Sequence, residues 1–412
     1  MLRRAVLFLT IMLLAAACGE SSTASNPNVV TIGAVYPLTG PQAPGGRDEL
    51  AGVQAALQVA TSSGALPRHV QLRVIDATTP RAASAAVDRL VREDHVAAIL
   101  GTYGSTLSAA ASARAEELKT VYWETGAVAD PITAQRRYVF RTVATGSSLG
   151  REAVTFTHEV LVPASRLKAP RIVIVQVDDI YGHSVGGGEM ALAGSLGIHV
   201  VDTITYNPIA FDPDALARRI ASDRADFLWD VSYLDDGVAI WKAIVRNQVH
   251  LLAAVGTSSA FCMPDFGRQL GSEAVGVYAA DKPDADISPA ALSPAGRVLF
   301  QKAVAAYARS RHTAMSIPAV AGFVGGWVLF HDVLGAISGA VTPDSIRSAA
   351  LAVDVPVGDE INGGGVRFGQ DGSLDDGQNT RSAAVVGQWQ GVEDMRIVYP
   401  AAYATSKPLP LS

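Results

Sequence analysis

From Val29 onward, short apolar runs alternate with longer segments whose apolar residues recur every three or four positions. Residues 29–35 form a continuous apolar strand. After a turn-rich loop over 36–47, the spacing of Leu50, Val53, Ala56 and Leu57 predicts a helix over 48–60. The same rhythm places strands at 70–75, 96–100 and 120–123, with helices at 82–93 and 108–118. A second series follows Val143, with helices at 149–160, 187–196, 213–222 and 237–247. Its strands are 172–177, 199–204, 227–231 and 251–255, with a further run at 275–280. Three helical segments then follow with little strand between them: 294–310, 318–338 and 343–352. Short strands at 365–368, 383–389 and 396–399 close the series, punctuated by Asp371-Gly372 and Asp376-Gly377 turns. Strands that are apolar on both faces and alternate with helices predict an α/β fold of two doubly wound parallel-sheet lobes. The late helices need a face to cover and are assigned back to the first lobe, so three hinge strands join the halves. The expected lobes are 29–143 plus 283–355 and 144–282 plus 356–400, with 401–412 as a tail.

The first residues belong to no lobe. Arg3 and Arg4 precede an apolar run over 5–17, shorter than the roughly twenty residues that cross a bilayer. That pattern predicts a signal peptide over 1–17. The run ends Leu14-Ala15-Ala16-Ala17-Cys18, which resembles a bacterial lipobox, and a Gly/Ser/Thr/Asn-rich stretch follows. We therefore expect lipidation at Cys18 and a flexible tether over 18–28. The expected location is the cell envelope, facing the periplasm or the exterior. Cys262 is then the remaining thiol, which leaves no intrachain disulfide. The later run over 320–334 comes nearest to a membrane span, but His331 and Asp332 interrupt it.

Composition narrows the chemistry. Of 412 residues, 49% are hydrophobic and the net charge is −6, which demands a packed core and excludes wholesale disorder. An acidic balance with dispersed Lys and Arg lacks the basic stripe that nucleic acid requires. No metal or other cofactor is expected. His158-Glu159 is followed by Val-Leu-Val rather than a zinc motif, and no P-loop occurs. Gly186-Gly187-Gly188 reads as the loose start of a helix, and Asp281, Asp284 and Asp286 read as a solvated loop beside a hinge. Cys262 reads as a small buried apolar residue. Gly182-His183-Ser184-Val185-Gly186 matches the G-x-S-x-G elbow of serine hydrolases. Residues 178–181 separate it from the preceding strand, however, where an elbow serine stands directly at the strand end. A hydrolase built on Ser184 is therefore the alternative, and no enzyme is expected.

The segment from Thr31 to Pro41, Thr-Ile-Gly-Ala-Val-Tyr-Pro-Leu-Thr-Gly-Pro, resembles the opening of the branched-chain (Leu/Ile/Val) amino-acid binding proteins of ABC importers. These are type I periplasmic binding proteins. Val87-Asp88-Arg89-Leu90-Val91 with Ala98-Ile99-Leu100-Gly101, then Tyr138-Val139-Phe140-Arg141-Thr142, then Asp178-Asp179-Ile180-Tyr181-Gly182 extend the likeness in order. It spans roughly 29–400. The resemblance implies a substrate-binding protein for amino-acid transport, closing by its hinge on an amino acid, amide or small carboxylate. It implies an ABC permease as partner and contact with the membrane through the lipid alone. A ligand-sensing receptor domain of the same fold is the alternative.

By that resemblance, Ser105, followed by Thr106, meets the ligand carboxylate at the start of a helix, where free backbone N–H groups favour an anion. Backbone groups of Gly126 and Ala127 supply a second carboxylate-side contact. Tyr181 and Tyr233 close over the ligand from the second lobe. Three positions depart from the family pattern. The acid that grips the ligand ammonium aligns with Ser258, a threonine near Val128 is missing, and the wall tryptophan of the first loop aligns with Gly45. An unpaired buried ammonium costs several kcal/mol. Either the ligand therefore lacks an α-ammonium, or another carboxylate supplies the charge, and Glu124 and Asp230 both follow strands.

Overall fold

A computed structural model describes residues 28–411. The signal peptide, Cys18 and the tether up to residue 27 lie outside the described residues. The first sheet contains β1 (Val29–Tyr36), β2 (His69–Asp76), β3 (Ala98–Gly101), β4 (Val121–Glu124) and β5 (Val139–Arg141), in the order β2-β1-β3-β4-β5. Every pairing in it is parallel. Its crossover helices are α1 (Ala43–Ser62), α2 (Pro80–Arg92) and α3 (Ser105–Glu117).

The second lobe opens with α4 (Gly146–Phe156), which passes through a π-helical turn into α5 (Val162–Ser165). Then come β6 (Ile172–Val177), α6 (Ile180–Leu196), β7 (Val200–Tyr206), α7 (Pro213–Ser222), β8 (Phe227–Val231), α8 (Leu234–Arg246), β9 (Ala253–Thr257), α9 (Pro264–Leu270) and β10 (Tyr278–Asp281). After β10 the chain runs through α10 (Pro294–Arg311), α11 (Ile317–Trp327) and α12 (Pro343–Leu351), then returns as β11 (Val385–Gly391) and β12 (Asp394–Tyr399). The seven strands of this sheet lie in the order β12-β11-β10-β9-β8-β6-β7, with the last two antiparallel on one edge.

The apolar pattern explains why α10 to α12 leave the sheet that precedes them. Phe323, Val324, Leu329 and Phe330 share one core with Val53, Ala56 and Trp123 of the first lobe. At Gly52 a methyl group would lie 2.0 Å from the Ala319 carbonyl oxygen, and at Gly322 it would lie 2.0 Å from that of Glu49. Thus α1 and α11 pack backbone to backbone. Residues Ile317–Leu334 have the length and hydropathy of a membrane span, but 89% of that stretch is buried inside the protein.

Several boundaries differ from the pattern-based expectation. α1 begins at Ala43, within the expected loop, because Pro44 stands in its first turn, where a missing N–H costs nothing. α6 begins at Ile180, capped by Asp179, whose carboxylate accepts from the amides of Tyr181 and Gly182. The glycines at 186–188 therefore lie inside a helix and are no loose start. Gly186 and Gly188 admit close approach of Gln176 and the Ser147 backbone. Residues 365–368 form isolated bridges rather than a strand of the second sheet. Ile361, Val366 and Phe368 are buried in the first lobe's core, where Phe368 meets Trp123 and Phe140 edge-on at 5.3 and 5.2 Å. The return to the second lobe consequently falls nearer residue 370 than 356.

Candidate functional site

The carboxyl ends of both parallel sheets face a cleft between the lobes, the place where loops and helix starts converge in such folds. A cavity of about 390 Å³ is lined by Gln42, Gly45 and Tyr103 from the first lobe and by Tyr233, Ser259 and Met263 from the second. Deeper in, a void of about 10 Å³ touches Glu49, Gly126, Ser258, Asp281 and Lys282. Tyr103 lines both spaces.

Gly45 faces the ring of Tyr103. A methyl group on it would fall 2.2 Å from the ring carbon bearing the hydroxyl. The Tyr103 ring therefore takes the wall position that the resemblance gives to a tryptophan at 45. Its hydroxyl donates across the cleft to the Ser259 carbonyl at 3.4 Å. On the other side, Tyr181 and Tyr233 meet with ring centroids 5.2 Å apart. Tyr181 donates to the Thr257 carbonyl and Tyr233 to Asp179 Oδ2 at 2.8 Å. Of this pair, Tyr233 lines the larger cavity, while Tyr181 is fully buried behind it.

Ser105 opens α3 but is turned inward, where its hydroxyl accepts from the Ala129 amide at 3.2 Å. Thr106 beside it is half-buried, and neither residue lines the two spaces. The amides of Gly126 and Ala127 both donate to Glu124 Oε1 at 2.7 Å. Glu124 Oε2 accepts from Ser108, from Tyr122 at 3.4 Å and from the Thr102 amide at 3.3 Å. The chain's own carboxylate thus occupies the backbone donors expected to meet a ligand. Burial pushes the Glu124 carboxyl up to about 7, although these hydrogen bonds and the charge of Arg141 pull it down.

Asp230 goes elsewhere. It is fully buried in the second lobe, with Oδ1 accepting from Ser232 at 2.6 Å and Oδ2 without a partner. Neither space touches it. Its electrostatic neighbour is Glu189 on α6, whose two carboxyl oxygens are also buried and unpartnered. Burial, opposed by the Ser232 bond, pushes Asp230 up to about 7. Burial first and Asp230 second push Glu189 upward.

Ser258 does line the inner void, and a cation stands beside it. Lys282 Nζ lies 3.4 Å from Ser258 Oγ, 3.4 Å from the Gly126 carbonyl oxygen and 3.1 Å from Asp281 Oδ1. Asp281, Lys282 and Pro283 are buried and Asp284 and Asp286 half-buried, which corrects the reading of Asp281, Asp284 and Asp286 as a solvated loop. On the opposite wall, Glu49 is fully buried on α1. Its Oε1 accepts from Thr125 at 2.5 Å, and its Oε2 has no partner. A methyl group on Gly126 would strike that Oε2 at 1.9 Å, so only glycine leaves room for the acid. Burial and the charge of Glu124 push Glu49 up to about 8, with Thr125 and Lys282 acting in the other direction.

Lys282, Asp281, Glu49 and Tyr103 thus belong to the cleft though the sequence reading did not select them. Lys282 stands one residue past β10, so the rule that sites follow strand ends reaches it. Among the described residues no group of three His, Cys, Asp or Glu is placed to hold a metal ion. Cys262 is a buried free thiol. Ser184 lies in the second turn of α6, donates to the Ile180 carbonyl at 2.7 Å and accepts from the Asp130 amide at 3.0 Å. His183 bonds to Gln176 and Asp178 instead, so the G-x-S-x-G run assembles no nucleophile–base pair there.

Two α/β lobes facing each other across a lined cleft define a bilobal solute-binding protein. The sequence profile of the periplasmic binding protein family matches residues 29–391, and the chain belongs to that family. It is 29% identical over 384 residues to the Leu/Ile/Val-binding protein homolog 8 of Brucella abortus (strain 2308), covering 92% of each chain. A leucine-binding protein from Thermotoga maritima superposes with a TM-score of 0.75 at 19% identity, over 89% of this chain and 97% of the other. A solute-binding protein of an ABC transporter from R. palustris, in complex with benzoate, superposes with a TM-score of 0.73 at 18% identity, over 93% and 99%.

Proposed function

We propose that this chain is the extracytoplasmic substrate-binding component of an ABC importer. It closes two lobes, near 29–143 plus 283 to about 370 and 144–282 plus about 370 to 400, over a small polar ligand of the amino-acid or related class. The observation that carries this reading is the cleft itself, lined from both sides and joined by chain crossings that can act as a hinge. Closure needs only that the ligand bind the closed form better than the open one. The permease would then recognise the closed shape. Similarity to a Leu/Ile/Val-binding homolog supports an amino-acid-like ligand, and the benzoate complex of a similar fold extends the range to other small molecules. Tyr233, Tyr103 and Ser258 are the residues that meet at the ligand in this reading.

A thermal-shift screen against a nutrient library tests the reading. A ligand present at a hundredfold excess over its Kd stabilises the folded state by about 2.7 kcal/mol. At least one small polar solute should raise Tm by several degrees. A library without any such compound would count against solute binding. We further propose that Cys18 carries the lipid anchor. Expressed in a bacterium, the Cys18→Ala protein should move from the membrane to the soluble fraction, and retention in the membrane would reject the anchor.

A further inference from the structure

Both charged ends that an amino acid would bring into this cleft are already supplied by the chain. The amides of Gly126 and Ala127, with the Thr102 amide and the Ser108 hydroxyl, are spent on the Glu124 carboxylate. The Ser105 hydroxyl accepts from the Ala129 amide and lines neither of the two spaces. An incoming carboxylate would win these donors only by stripping all four from a buried acid. On the ammonium side, Lys282 Nζ stands among the Ser258 hydroxyl, the Gly126 carbonyl and Asp281. A ligand ammonium would have to share the Asp281 carboxylate that already pairs with Lys282, bringing two cations to one counter-ion where low dielectric makes the contact costly.

What the cleft leaves open is acceptor capacity without free charge. Gln42 Oε1, Glu49 Oε2 and Asp281 Oδ2 are buried with no partner, and each residue lines one of the two spaces. Asp281 is already neutralised by Lys282, and Glu49, raised to about 8, holds its proton at neutral pH and can donate it. Lys282 points its three N–H donors at Asp281, Gly126 and Ser258, and the two longer bonds, of 3.4 Å, are the ones a ligand carbonyl oxygen can take over. Next to this group lies the larger cavity, walled by Tyr103, Tyr233, Leu234, Met263 and Pro44.

We infer that the ligand of this protein is an uncharged molecule joining an amide-like group, which both donates and accepts hydrogen bonds, to an apolar body, and that zwitterionic α-amino acids are excluded by Glu124 and Lys282. The inference rests on the solute-binding reading above and narrows its ligand class. The amide group reaches Glu49, Asp281 and Lys282, while the apolar body lies between Tyr103 and Tyr233.

Two matched series test it by calorimetry on the purified protein. One is isovaleramide, isovalerate, isopentylamine and leucine, which share a branched body and differ in charge. The other is benzamide, benzoate, benzylamine and phenylalanine. The neutral amide should bind at least tenfold more tightly than its charged relatives in at least one series. Equal or tighter binding of leucine, phenylalanine, an anion or a cation overturns the inference and leaves solute binding standing. Failure of both amides, with the nutrient screen returning only charged ligands, also overturns it. A screen returning nothing rejects the underlying reading instead. The second arm is the variant Glu124→Ser, Ser258→Glu, Lys282→Ala, which removes the ionisable groups of Glu124 and Lys282, leaves Asp281 in place and installs an acid. With a cooperative melt retained, it should gain leucine affinity at least tenfold over the parent. A folded variant that still ignores leucine overturns the account of the internal charges.

Discussion

At the scale of single residues, the second lobe carries a stability cost that depends on pH. Asp230 and Glu189 are buried carboxyls with unpartnered oxygens, and among the described residues no cation offsets the effect of burial on either. An aspartate titrates near 4 when unfolded, whereas folded Asp230 titrates at about 7. The folded state therefore binds the proton more tightly, and stability falls as pH rises from about 4 to about 7, by on the order of 1 kcal/mol per unit. Asp230→Asn removes that titration while keeping the acceptor that serves Ser232. We expect its Tm gain over the parent to be larger at pH 8 than at pH 5, and an equal gain at both would reject the assignment. Residue chemistry was unevenly legible in the sequence. Tyr233 and Ser258, taken from the family resemblance, line the cleft. Lys282 was hidden because Asp281 at the end of β10 and two aspartates behind it read as solvent exposure, whereas Asp281 and Lys282 are buried. Glu49 was hidden because no apolar pattern announces a buried acid on a helix.

At the scale of elements, the pairing of α1 with α11 positions Glu49. Gly52 and Gly322 let the two backbones touch, and Gly322 lies against the Glu49 carbonyl. Gly322→Ala forces the helices apart, with an expected cost of about 2 kcal/mol, within the usual range for overpacking. Because the shift moves Glu49, ligand affinity should fall as well as Tm. Denaturant melts and calorimetry on one preparation check both, and an unchanged Tm would show that the helices yield freely. The alternation of strand and helix made nearly every element legible from apolar spacing alone. Starts of helices were not, and α6 is the clearest instance. Its glycines read as a break, yet they serve close packing against Gln176 and α4, a tertiary demand that local pattern does not encode.

At the scale of the whole molecule, direct polar contacts cross the lobes, among them the bond from the Ser147 amide to Asp130 Oδ1 at 3.1 Å. The Asp130 amide donates to Ser184 across the lobes, and Tyr103 donates to the Ser259 carbonyl. Ser184→Ala deletes one such acceptor, and a net loss of about 1 kcal/mol corresponds to roughly fivefold weaker ligand binding. Small-angle scattering should show ligand reducing the radius of gyration in the parent, with a smaller response in the variant. No change in the parent would argue against hinge closure. The two lobes and their three connections followed from counting unpaired helices after the second sheet. The late return of 361–368 did not, because only the aromatic cluster of Trp123, Phe140 and Phe368 decides it.

The first sheet is finished by helices that the gene encodes last but one. During synthesis β1 to β5 leave the ribosome well before α11, the element that covers α1 and shares its core. Until Ile317–Leu334 emerges, the early half keeps an uncovered greasy flank, while most of the later half can already assemble. A nascent chain halted after β10 should therefore hold its intermediate half-built at the front and nearly complete at the back, the reverse of the order in which the codons are read.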